Sequence, residues 1–152
     1  MKKESIIRLV FNVSLPLLLS ILVSLAIRND FNYLETLNRN IVVPPIVFPI
    51  VWTILYVLMG IWAYFYEKDH EDDSTLIVYW ISLSVNLLFS FLLFSFHLIV
   101  WAFIDVIVLM IMVVYLFIRT LIKKKKYAYL LIPYILWLIV AFSLMLDLLI
   151  NN

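Results

Sequence analysis

The side chains able to do chemistry are few, and they sit inside long apolar runs. Ser82, Asn86 and Ser90 recur every fourth residue, so a helix aligns them as one polar stripe. Polar groups in such a setting are costly unless partnered, which turns the stripe toward a bundle interior or a cavity. Spacing alone favours helix-to-helix hydrogen bonding over a ligand. Trp52 and Tyr56 stand at i and i+4, as do Trp137 and Ala141. An aromatic ring beside a small residue makes a slot for a flat ring, and both tryptophans lie deeper in their runs than a headgroup belt would hold them. Asp105 is an acid inside an apolar run, and such a residue is a functional candidate by default. Its nearness to the turn at His97 favours hydration and structural hydrogen bonding over ligand or proton handling.

What is missing narrows the chemistry. The chain has no cysteine, which removes disulfides, thiolate metal sites and cysteine nucleophiles. Gly60 is the only glycine, so a glycine-rich phosphate cradle cannot form. His70 and His97 lie in separate loops, and nothing resembles a metal site or a catalytic triad. The acidic stretch Glu67 to Asp73 lacks calcium-loop spacing and reads as a solvated connector. A formal net charge of +1 offers no field for nucleic acid.

The elements that must position these residues follow from hydropathy. Of 152 residues 66% are hydrophobic and 14% charged, too little polar surface to cover a water-soluble globule. A membrane-spanning helix needs about 20 apolar residues. Such stretches run from Ser5 to Ile27, Pro44 to Tyr66, Thr75 to Phe96, Ile99 to Leu121 and Tyr127 to Ile150. They show no β-barrel alternation, so the expected fold is an all-α membrane protein, a single domain over residues 1–152 with five transmembrane helices. Residues 28–43 form the one long loop. Lys2, Lys3 and Arg8 before an apolar run that ends Ser24-Leu25-Ala26 also admit a signal-peptide reading, but the run is longer than a usual signal core. Lys2, Lys3, Arg8, Lys68, Arg119 and Lys123 to Lys126 fall on the side of the N-terminus, and only Arg28 and Arg39 on the other. The positive-inside bias therefore predicts a cytoplasmic N-terminus and an external loop and C-terminus. The four consecutive lysines are expected to hold topology and touch anionic headgroups. Ser82, Ser90 and Ala141 are candidates for close helix packing.

Pro44-Pro45-Ile46-Val47-Phe48-Pro49-Ile50-Val51-Trp52-Thr53-Ile54-Leu55-Tyr56-Val57-Leu58-Met59-Gly60 closely resembles the second-helix signature of the TspO/MBR family, the translocator proteins or tryptophan-rich sensory proteins. Asn86 to Ser90, Ala102 to Asp105, and Leu131 to Trp137 with Ala141 resemble further family blocks in the family's order. The resemblance implies a five-helix bundle of TspO type in a cell membrane, of bacterial kind, which needs no cofactor. It implies a homodimer that binds porphyrins, sterols or drug-like aromatic ligands in a cavity under the first long loop. Carried over position by position, it implies a pocket lined by Tyr33, Pro44, Val47, Trp52, Asn86, Phe89, Ser90, Leu93, Val106, Trp137 and Ala141.

The chain departs from the family pattern at Tyr33-Leu34, Asn40 and Val42 in the loop, at Phe89, and at Ser143 and Met145 after Ala141. Short sterol-type patterns occur at Val113 to Arg119 and Lys125 to Leu130, but no tyrosine or basic residue follows Trp137, where vertebrate relatives carry their sterol motif. The function expected is tetrapyrrole binding and sensing, with transport as a rival. Relatives associated with light-dependent porphyrin breakdown imply a further role for Trp52 and Trp137 as oxidisable rings flanking the ligand. The same residues fit a purely shaping role.

Overall fold

The computed structural model describes residues 3–69 and 72–152; Met1, Lys2, His70 and Glu71 lie outside the described residues. Five helices are long and apolar enough to cross a membrane. In chain order they are α1 (Lys3–Ala26), α3 (Val47–Lys68), α4 (Asp73–Ser90, prolonged by a π-helical turn Phe91–Ser95), α5 (Ile99–Ile122) and α6 (Ile132–Asn151), the last entered through a 3-10 turn Lys126–Leu131. A one-turn helix, α2 (Tyr33–Thr36), lies in the long loop. Pro44 and Pro45, expected at the head of the second span, instead precede it. Proline has no N–H to give a helix and disfavours the helical state of the residue before it, so the regular turns begin at Val47.

The helices close a ring in the order α1, α3, α6, α5, α4 and back to α1, with α3 meeting α6 chiefly at the 3-10 turn. On α5 the residues facing inward are Ala102, Asp105, Val106, Leu109, Val113, Leu116 and Thr120, the three-to-four spacing of one helical face. Thr120 accepts a hydrogen bond from Trp62 Nε1 at 3.2 Å and so ties α5 to α3.

Helices α1 and α3 approach closely at Gly60. A Cβ there would stand 2.6 Å from Val13 Cα and nearer still to the Asn12 carbonyl oxygen. Without a hydrophobic drive between helices in lipid, association depends on such close van der Waals approach and on interhelical hydrogen bonds. Asn12 adds one of the latter, donating from Nδ2 to Glu67 Oε2 at 2.9 Å, and Ser5 bonds the Tyr64 hydroxyl.

The acidic connector is not merely solvated. Asp72 caps α4 by accepting from the Thr75 amide at 2.8 Å and also accepts from Tyr66 of α3 at 3.2 Å. It pairs with Arg119 at 3.0 Å and Lys123 at 2.8 Å, both from the end of α5. Asp69 pairs with Lys125 at 2.9 Å. Two of the four consecutive lysines are thus drawn into holding helices together. Lys124 between them takes a left-handed conformation with φ of 57°, closing α5 where glycine is the usual residue.

The Lys123 ammonium, followed by the Ser74 hydroxyl, holds the Asp72 carboxyl well below the usual carboxylate range. A carboxyl that ionises more readily in the fold than in the unfolded chain contributes fully above its ordinary value and loses that contribution only as pH falls through the depressed one. Asp72→Ala should lower stability in detergent by roughly 1–2 kcal/mol, mostly through the lost cap and ion pairs. Thermal unfolding should give the same deficit at about pH 8 as at about pH 5.

Candidate functional site

Local sequence sets Trp52 and Tyr56 one turn apart on α3, and Tyr134 and Trp137 one turn apart on α6. Packing brings the two pairs together. The Trp52 ring stands 6.4 Å from that of Trp137 at 88°, 5.7 Å from Tyr56 in a stack, and 6.1 Å from Tyr134 edge-on. Phe48 meets Trp137 at 5.9 Å. Asn86 of α4 locks this group from behind: it accepts from the Tyr56 hydroxyl at 2.5 Å and donates to the Tyr134 hydroxyl at 2.7 Å.

A second group lies toward the loop. Tyr33, Phe89, Leu93, Val106 and Ala141 share one apolar cluster with Ala102, Met145 and Leu148. Of the remaining expected pocket residues, Ser90 and Val47 are half-buried and Pro44 is exposed. Asn86, expected to line the pocket, bonds both tyrosines and keeps a second N–H and a second lone pair. It acts here as the brace that fixes their rings.

The loop is pinned at both ends. Ser95 donates to Asp30 at 2.5 Å, Phe31 meets Phe94 edge-on at 5.0 Å, and Tyr33 stacks on His97 at 3.8 Å. His97 presents its ring from a left-handed backbone, φ 57°. At the other end, Asp147 Oδ2 accepts from the amides of Asn40 at 2.8 Å and Ile41 at 3.0 Å. Asn152 exchanges two bonds with Asn38, at 3.0 and 2.8 Å. Asn40 and Asp147 are thus partners. The bond partner of Asn40 lies 107 residues away, so sequence reasoning missed it. Asp147→Ala frees residues 40 and 41 while leaving the helices and the Asn38–Asn152 bonds in place. Its expected result is faster amide hydrogen exchange in that stretch and an unchanged helical circular dichroism spectrum.

Between α3 and α6 runs an apolar groove of about 290 Å³, lined by Val51, Ile54 and Leu55 on one side and Pro133, Leu136, Trp137 and Val140 on the other. Pockets for drug-sized ligands measure roughly 300–1,000 Å³. A porphyrin-sized ring therefore needs the aromatic layer to part, or α6 to swing from α3 beyond the 3-10 turn where they touch.

The sequence profile of the TspO/MBR family matches residues 12–150. The chain belongs to the TspO/MBR family. Comparison with curated proteins gives no match. The family match runs from within α1 to the last turn of α6, so the aromatic layer and residues 28–43 of the loop fall inside it. With five spanning helices, this TspO/MBR protein is a multi-pass integral membrane protein.

Proposed function

We propose that this TspO/MBR protein binds tetrapyrroles within the membrane and senses or passes them on. The observation that carries the reading is the crossed pair Trp52 and Trp137, 6.4 Å apart, with both tyrosines beside them braced by Asn86 and a pinned loop at one end of the bundle. Flat aromatic faces with few polar groups suit a porphyrin ring, whose carboxylates would point toward the loop and water. Tryptophan fluorescence titrated with protoporphyrin IX, haem and a sterol tests it. Saturable quenching by the porphyrins, weakened at least tenfold by Trp52→Ala, is expected; equal, non-saturable quenching in both proteins overturns it.

The protein works as a homodimer in a bacterial cell membrane, with its N-terminus and basic end cytoplasmic and its pinned loop external. The nine basic residues on the N-terminal side against Arg28 and Arg39 support that orientation. An impermeant thiol label on intact cells should mark Asn152→Cys and spare Ser5→Cys. A second reading, light-dependent porphyrin breakdown, is favoured by the contact of Trp52 with Trp137 and with the phenols of Tyr56 and Tyr134, a chain of oxidisable rings. Under it, Trp52→Phe and Trp137→Phe slow bleaching of bound protoporphyrin IX at matched occupancy.

A further inference from the structure

Asp105 lies at the junction of the two groups just described. Ala102 and Val106, on the same face of α5, pack in the cluster with Phe89, Leu93 and Ala141. Leu109, one turn on, packs in the layer with Tyr56 and Tyr134. Asp105 itself is 7% exposed, so the hydrated rim position expected from sequence is not what it occupies. Its Oδ2 is buried with no hydrogen-bond partner among the described residues. On α6, the helix packed against α5, Trp137 Nε1 is likewise buried and unpartnered among the described residues.

An acceptor and a donor left open in a lipid-shielded interior are expensive, and native structures rarely tolerate such atoms without a reason. The Asn86 amide, in the same layer, already bonds Tyr56 and Tyr134.

We propose that Asp105 is a ligand-binding residue, whose carboxyl receives an N–H donor of a flat aromatic ligand while Trp137 Nε1 offers its proton to an acceptor on the same ligand. The ligand class is thereby narrowed to planar aromatics that carry an N–H, as a protonated amine, amidine or pyrrole, near a hydrogen-bond acceptor. This inference rests on the pocket reading above and adds its polar recognition.

The test uses the full chain in detergent and two flat tricyclic probes, 9-aminoacridine, which carries N–H donors, and anthracene, which carries none. Asp105→Leu should unfold at the same or a higher temperature than wild type, because it removes a buried unsatisfied polar group. It should lose at least tenfold in affinity for 9-aminoacridine and keep its affinity for anthracene. Asp105→Asn, closer in shape, should show the same selective loss in smaller measure. Equal affinity of wild type and both variants for 9-aminoacridine, or an equal fall for both probes, overturns the assignment. So does a destabilised Asp105→Leu combined with an Asp105→Asn that binds 9-aminoacridine as wild type does. Failure of wild type to bind either probe or protoporphyrin IX overturns the pocket reading itself, and this assignment with it.

Discussion

Gly60→Leu should separate α1 from α3 and cost more stability than any other single change at a helix contact described above. Two effects oppose each other at this position. Glycine inside a helix is worse than alanine by about 1 kcal/mol, so an added side chain would stabilise α3 were there room for it. There is none: the first added carbon meets backbone, Val13 Cα at 2.6 Å and the Asn12 carbonyl, not the movable end of a side chain. Overpacking typically costs about 1–3 kcal/mol and more where the obstacle is rigid, so the steric effect wins. Gly60→Ala should already lower the unfolding temperature, and Gly60→Leu should lower it much further. Displacement of α1 also breaks the Asn12 to Glu67 bond. A cysteine pair across Val13 and the Gly60 neighbourhood should then lose its cross-linking in the leucine variant. An alanine variant as stable as wild type would overturn the steric reading of this contact.

Ala141→Phe should abolish high-affinity porphyrin binding while leaving a folded bundle. Ala141 sits one helical turn from Trp137 and packs with Phe89, Leu93 and Val106, so a phenyl ring there fills the space between the aromatic layer and the loop. Ala141 is only half-buried, which lets the fold absorb part of the added volume. An overpacking cost of about 1–3 kcal/mol borne by the bound state alone corresponds to a loss of roughly 5- to 150-fold in affinity. Unchanged protoporphyrin IX affinity in a variant with wild-type circular dichroism would remove Ala141 from the pocket.

Much of this architecture was legible in the sequence. The spanning runs come within about three residues of the helices, the long loop falls where expected, and the pocket blocks identify the family. The bilayer makes this possible. Its thickness sets the length of a span, and its lack of water forces backbone hydrogen bonds inside each helix, so both are local properties of the chain. Where proline intervened, at Pro44 and Pro45, the local rule against proline in helices explains the shorter α3.

What only the tertiary structure decided is which side of each helix faces inward and what its polar groups meet. In water an apolar stripe marks the buried face. In lipid both faces are apolar, so the pattern does not say how a helix is rotated. For that reason Asn86 could be placed on a polar stripe but not assigned to Tyr56 and Tyr134, and Gly60 could be read as unfit for a phosphate loop but not as the contact that seats α1. The same holds for Asp72, Asp147 and Asp105, three carboxylates with no local signal to tell them apart. Helix rotation and a chain that returns after dozens of residues make the first a clamp among α3, α4 and α5 and the second a latch for the loop. They leave the third buried with an open oxygen.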